Sequence, residues 1–192
     1  MNALRGKFVT LIPAAMEDRQ SVYEWCFHSD TTKSHAGPPD YPDVPIAAPE
    51  EFFGEYGYQD YYFTGERLAD GRGYLIAHDG EAVGFLSYAC FHLQEGFAEL
   101  DIWMKAEEHC GKGCGTDALA ALCEWLSETL DIRAAIMRPS LKNARANRSY
   151  QKAGFVPSDT PPEAYLRAEY VEALGDGDYG AVESALLVKC LR

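Results

Sequence analysis

"HCGKGCGTDALAALCEWL", residues 109–126, sets three glycines at alternate positions, Gly111, Gly113 and Gly115, just ahead of a run of helix formers. Glycine loses more backbone freedom on folding than any other residue, so three in one short stretch need a cause. Either the chain turns sharply there or something must come close to the backbone. Downstream, Leu119, Leu122, Cys123 and Leu126 recur at helical spacing. Upstream, "FAELDIWM" (97–104) reads as a strand. A strand, a glycine turn and a helix start together form an anion site, because orphan N–H groups and the positive end of the helix dipole point at the same place.

Other loops fit less well. A Walker loop needs four residues between its first glycine and a Gly-Lys-Ser/Thr end, which "GKGCGT" does not supply. A dinucleotide fingerprint runs G-x-G-x-x-G in an early βαβ unit, whereas this loop is mid-chain and runs G-x-G-x-G. A zinc site from His109, Cys110, Cys114 and Cys123 matches no common spacing and would take Cys123 off the apolar helix face. No metal is expected.

Outward from the loop, "KFVTLIPA" reads as a first strand and "MEDRQSVYEWCFHS" as a helix with Val22, Trp25 and Cys26 on one face. "HAGPPDYPDVPIAAP" is a proline-rich loop, and "EEFFGEYGYQDYYF" reads as helical despite two glycines. The Asp79-Gly80 pair between two β-rich runs predicts a hairpin. "IRAAIMRP" predicts a short buried strand. "SLKNARANRSYQKAG" predicts a helix capped by Ser140 and closed by Gly154 in the left-handed conformation. "FVPSD" leaves it as an extended segment, "PPEAYLRAEYVEALGDGDYG" reads as a last helix and "AVESALLVKCL" as a last strand. Hairpins first and strand–helix alternation later predict an α+β fold, with residues 1–192 forming a single domain.

Composition narrows the function. The 192 residues are 47% hydrophobic with no apolar run long enough to span a membrane, so neither a transmembrane segment nor a membrane partner is expected. Six cysteines spread along the chain, with no leader-like N-terminal segment, suggest reduced thiols and a cytoplasmic location. The net charge of −13 speaks against nucleic acid and for cationic partners. One segment reverses the sign: residues 131–153 hold six bases and one acid. It is either a solvated helix face or an anion site beside the glycine loop.

A second motif joins the first. Residues 139–155, "PSLKNARANRSYQKAGF", place Asn143, Ala146, Tyr150, Lys152, Gly154 and Phe155 in the order Asn-x-x-Ala-x-x-x-Tyr-x-Lys-x-Gly-Phe. With the glycine loop upstream and a strand between, this resembles the GNAT superfamily of N-acetyltransferases, most closely its aminoglycoside 6'-N-acetyltransferase-like branch. Cys110 stands where the superfamily loop usually carries Gln or Arg. The resemblance implies a twisted, mostly antiparallel sheet split in a V, with acetyl-coenzyme A as co-substrate in the cleft between "FAELDIWM" and "IRAAIMRP". It implies that Cys110, Gly111, Lys112, Gly113, Cys114, Gly115 and Thr116 hold the pyrophosphate. Backbone of Ile102, Trp103 and Met104 would hold the pantetheine arm. Asn143, Arg145 and Tyr150 would also line the coenzyme, with Arg138, Lys142, Arg145 and Arg148 giving countercharge to its 3'-phosphate.

For the reaction, the resemblance makes Tyr150 the general acid toward the leaving thiolate, or else a packed contact of the coenzyme. Glu99 and Asp101, two apart on one strand, share a face. They are the base candidates, unless that face is simply solvated; Asp101 matches the branch's amine-contacting aspartate. The expected acceptor is a small, cationic amine. A protein N-terminus is the alternative acceptor, and a non-catalytic acyl-coenzyme A binding module is the alternative class. A homodimer is also entertained.

Overall fold

The computed structural model describes residues 2–32, 46–180 and 182–192, and most of the proline-rich loop lies outside them. The strands are β1 (Leu4–Arg5), β2 (Thr10–Pro13), β3 (Gly71–His78), β4 (Glu81–Ala89), β5 (Phe97–Met104), β6 (Ala134–Met137), β7 (Val156–Pro157) and β8 (Leu187–Cys190). They form one sheet in the order β1-β2-β3-β4-β5-β6-β8-β7. Every neighbouring pair is antiparallel except β5 and β6. The helices are α1 (Arg19–Phe27), α2 (Pro49–Phe52), α3 (Tyr61–Thr64), α4 (Cys114–Thr129), α5 (Ala144–Lys152) and α6 (Val171–Leu174). The expected α+β class and mostly antiparallel sheet are therefore present.

The sheet's alternation sends side chains into two cores. Ala98 and Leu100 of β5, with Leu11, Ile76 and Leu86, pack beneath Leu119, Leu122, Cys123 and Leu126 of α4. On the opposite face Trp103 and its cross-strand partner Phe85 pack with Val22 and Cys26 of α1 and with Phe52, Tyr61, Tyr62 and Phe63. A third cluster, Leu93, Ile136 and Leu166, holds the C-terminal segment to the sheet.

Several expectations need correction. The aromatic segment after the proline-rich loop is not one helix but the single turns α2 and α3. The chain folds back between them so tightly that a Cβ on Gly57 would stand 2.2 Å from the Phe52 carbonyl oxygen. Residues 161–180 are likewise two 3-10 turns and the short α6 rather than a long helix. Ser140 does not cap α5. Asn143 does, accepting from the Ala146 N–H at 3.1 Å, as an Asx side chain at that position should. Gly154 closes the helix at φ +92° as expected. The Asp79-Gly80 turn has both residues at positive φ, the signature of a type I′ hairpin.

Asp117, in the first turn of α4, ties that helix to the sheet edge. Its carboxylate accepts from the N–H groups of Lys7 (2.9 Å), Phe8 (2.9 Å) and Val9 (3.0 Å) in the β1–β2 turn. Burial opposes the charge, yet the three donors win and hold its pKa below the usual value. A group depressed in this way stabilises the fold above its unfolded pKa and loses that contribution as pH falls through the folded one. Asp117→Asn should cost about 1.5–3 kcal/mol at pH 7. Urea titrations should show the gap to wild type closing as pH drops through the carboxylate range.

Candidate active site

The glycines have separate tasks. Gly111 (φ +72°) and Gly113 (φ +87°) supply left-handed turns that a side chain would strain. Gly113 is the N-cap of α4, with no side-chain cap. Gly115 lies within the helix, where a Cβ would stand 3.4 Å from Ile102 Cδ1, an ordinary packing distance. The protein itself thus needs the turn at Gly111 and Gly113 and does not crowd Gly115. Among the described residues the N–H groups of 111–116 take no other backbone partner, and the first bond onto the cap runs from Asp117 to Gly113 at 3.0 Å.

Around the loop, the side chains are more committed than expected. Thr116 Oγ1 lies 3.2 Å from Ser149 Oγ and links α4 to α5. Cys114 is buried and its thiol is pushed up by that burial, which argues against a reactive thiolate. Cys110 is half-buried, its thiol 3.7 Å from the Ala106 carbonyl. Arg145 is engaged bidentately by Glu107, and Lys142 pairs with Glu183 at 2.9 Å. Asn143 caps α5. Lys112 and Arg148 are exposed bases with no ion-pair partner among the described residues. Among those residues no three His, Cys, Asp or Glu side chains cluster as metal ligands would.

Strand β5 provides the wall of a cleft. It pairs with β6 only through Phe97↔Ala134, Ala98↔Ala135 and Glu99↔Ile136. Beyond Glu99 the two strands part, giving the V. On the other side β5 stays paired with β4, and the Lys105 N–H donates to Val83 at 2.9 Å. Antiparallel alternation then points the N–H groups of Ile102 and Met104 away from β4, toward the gap. Trp103 is a correction: alternation turns its backbone toward Phe85 in the ladder, and its ring is in the aromatic core. The Met104 carbonyl accepts from Thr31 Oγ1 at 3.0 Å.

Glu99 is a second correction. Its carboxylate takes two bonds from Arg138 (2.7 and 2.9 Å) and one from His92 Nε2 (2.7 Å). Burial would raise its pKa, but His92 and Arg138 overcome that and hold it at about 2. A carboxylate so fully satisfied is a poor proton acceptor. The same pairing removes Arg138 from the expected phosphate contacts. Arg138 also donates to the carbonyls of Leu174 (2.5 Å) and Gly175 (3.3 Å), fastening the C-terminal segment.

Asp101 is different. It is half-buried, and its one hydrogen bond among the described residues comes from Tyr58 Oη at 2.7 Å. No Lys, Arg or His pairs with it among the described residues. Its charge reaches Cys26, Tyr58, Tyr150 and Tyr179, and each of them is pushed up, first by burial and then by nearby acids. Tyr150 lies within reach of the Asp101 charge, and no hydrogen bond joins the two among the described residues. Tyr58 and Tyr179 were missed in the sequence: nothing in either's local pattern signals a site, because both arrive on irregular segments.

A concavity of 600 Å³ lies apart from this cluster, between α1 and Lys105–Ala106. None of Asp101, Tyr58 or Tyr150 lines it.

The comparisons with known proteins agree with this geometry. The acetyltransferase (GNAT) domain family matches residues 9–156. The chain belongs to that family. It is an acetyl-coenzyme A-dependent N-acetyltransferase, and no helix of the described residues is long and apolar enough to cross a membrane. No curated protein matches it. Among solved structures it resembles the aminoglycoside acetyltransferase AAC(6')-Ib in complex with parmomycin and acetyl-coenzyme A, at 19% identity, TM-score 0.66, covering 96% of this chain and 94% of that one. An acetyltransferase from Agrobacterium tumefaciens is similar at 19% identity and TM-score 0.67, with 98% and 94% covered. RimL, the ribosomal L7/L12 α-N-protein acetyltransferase, solved with coenzyme A, is similar at 17% and 0.66, with 98% of each covered. At these identities the likeness is one of fold.

The ion pair at the split yields a stability test. A lowered carboxylate pKa means that Glu99 stabilises the fold above its unfolded pKa, and that the contribution fades as pH falls toward about 2. Glu99→Gln leaves Arg138 buried without its countercharge and should cost about 3–5 kcal/mol at neutral pH. Thermal unfolding at pH 7 and pH 3 should show a large deficit that narrows in acid.

Proposed function

We propose that the acceptor is a small cationic amine and that Asp101 receives it. The observation that carries this is a half-buried carboxylate with no cation beside it among the described residues, in a chain of net charge −13. A buried charge left unpaired is costly, and an incoming ammonium supplies the missing partner. The four titratable groups around Asp101 are neutral when protonated, so none of them competes for that role.

The site residues fit the coenzyme in part. Free N–H groups of 111–116 suit its pyrophosphate, with Lys112 and Arg148 as the uncommitted bases nearby. The N–H groups of Ile102 and Met104 face the gap where the thioester carbonyl would be polarised. In the reaction the ammonium gives a proton to Asp101, directly or through water, and its nitrogen lone pair attacks the thioester carbon. The adduct then collapses with cleavage of the carbon–sulfur bond, and the thiolate takes a proton from the Tyr150 hydroxyl. The nitrogen's second proton passes through water to the Tyr150 oxygen, leaving a neutral amide and a neutral tyrosine. Burial and the Asp101 charge keep that hydroxyl protonated, the state in which it can donate.

The solved relatives include a protein N-terminal acetyltransferase, so a peptide α-amine is the competing acceptor. A panel of polyamines, aminoglycosides and N-terminal peptides against acetyl-coenzyme A, read by thiol release, decides between them. With a polycationic amine, kcat/KM should fall as salt shortens the Debye length toward about 10 Å at 0.1 M. Asp101→Asn should lose about 10²-fold in kcat/KM and much of that salt dependence. Turnover of peptides alone would overturn the cationic reading.

Tyr150→Phe should lower kcat about 10²-fold while calorimetry finds coenzyme affinity little changed, since the lost bond counts mainly in the transition state. Near-normal turnover would reduce Tyr150 to packing.

A further inference from the structure

Asp101 has two carboxylate oxygens, and the fold treats them unequally. Oδ2 accepts from Tyr58 Oη at 2.7 Å. The same hydroxyl lies 3.2 Å from Ser87 Oγ, and Ser87 is the cross-strand partner of Asp101 on β4. Because the Tyr58 proton goes to Asp101, its oxygen is left to accept from Ser87, which is 3% exposed. The result is a one-way chain, Ser87 to Tyr58 to Asp101. It ends in a buried serine, so it cannot pass a proton to solvent.

Tyr58 has little freedom to leave. Its ring packs against Phe52 (4.9 Å between centroids), Tyr62 (5.1 Å), Phe85 (5.5 Å) and Trp103 (5.5 Å). Its own N–H donates to the Phe52 carbonyl at 2.7 Å. A rigid donor on a flexible carboxylate fixes the carboxylate's torsion and direction.

We propose that Tyr58 is the positioning residue of the acceptor site: its hydroxyl holds Asp101 Oδ2 and leaves Oδ1 aimed at the acceptor's ammonium. This rests on the reading of Asp101 as the amine-holding carboxylate. Among the described residues, Tyr58 from the α2–α3 segment is bonded to Asp101 and Ser87 of β4 stands opposite it, while Cys26 of α1, Tyr150 of α5 and Tyr179 of the C-terminal segment, beside Asp178, lie within reach of its charge. None is a cation, so Tyr58 is the strongest donor to the ionised carboxylate among the described residues. Removing it leaves the carboxylate free to turn and loosens its aim at the ammonium.

The test uses the full chain and a polycationic amine that wild type acetylates. Tyr58→Phe keeps the ring and removes only the hydroxyl. Its kcat/KM should fall about 10-fold, mostly through a higher KM for the amine. Acetyl-coenzyme A affinity by calorimetry should stay within about twofold of wild type. In the Asp101→Asn background the same change should have almost no further effect, which a merely structural role would not produce. Ser87→Ala, which removes the support but not the bond, should act in the same direction more weakly; should Tyr58→Phe fail to fold, an unchanged amine KM in Ser87→Ala overturns the proposal. An unchanged amine KM in Tyr58→Phe, or equal losses in both Asp101 backgrounds, also overturns it. If Asp101→Asn matches wild type, the acceptor reading itself falls, an outcome distinct from a silent Tyr58.

Discussion

Strands β5 and β6 run side by side for three residue pairs and then part, and the ion pair between Glu99 and Arg138 stands at the point of parting. Glu99 is the last paired residue of β5, and Arg138 is the first residue beyond β6. A parallel pair cannot simply stop in a sheet without leaving N–H and C=O groups open on both edges. Here those open groups form the cleft. The bidentate pair pins its narrow end, and His92 closes the carboxylate's remaining valence. Through the same guanidinium, Arg138 holds the carbonyls of Leu174 and Gly175. Five residues on, the chain reaches Tyr179, whose hydroxyl feels Asp101 and Tyr150. One arginine thus sets both the opening of the sheet and the placement of the segment that crosses it.

The period of two along β5 separates the two halves of the chemistry. Leu100 and, less deeply, Ile102 and Met104 face α4 and the glycine loop; Glu99, Asp101 and Trp103 face the aromatic core and α1. The backbone edge lies between them. A thioester held along that edge would meet coenzyme contacts on one face and the acceptor's carboxylate on the other. Shifting the register by one residue would exchange the faces and destroy both. The Gly84↔Met104 to Ala89↔Glu99 ladder with β4 is unbroken, which is what fixes that register.

Features set by local chemistry were legible in the sequence. The Asp79-Gly80 turn, the left-handed Gly111, Gly113 and Gly154, the apolar stripe of α4 and the bounds of β5 each follow from a few adjacent residues. The family resemblance was legible because its motifs occupy those same local positions, and the family match bears it out. What failed depended on partners far away in sequence. Residues 50–63 and 161–180 have helix-forming composition, but Gly54, Gly57 and the packing of aromatic rings break the first into single turns. Ser140 and Asn143 both look like caps, and only the path of the chain after Pro139 decides between them. Glu99 and Asp101 look alike on the strand. Arg138, 39 residues on, makes one a structural counter-ion, while Tyr58, 43 residues back, leaves the other available.

The distribution of committed charge explains how the loop can do without the usual Gln or Arg. Arg138, Lys142 and Arg145, three of the six bases of the basic segment, are tied to Glu99, Glu183 and Glu107. They stiffen the fold and are poorly placed to neutralise a phosphate. A pyrophosphate held there, as proposed, would rest on backbone N–H groups, which are fixed by the turn and need no side-chain ordering. Cys110 costs such a site little, since its place in the loop lies before the donors begin. At the proposed acceptor site the arrangement would be the opposite: one carboxylate carries the charge, and a single hydroxyl, wedged among four rings, bonds it. A backbone cradle tolerates exchange of its neighbours, whereas a lone carboxylate depends on the one donor that aims it.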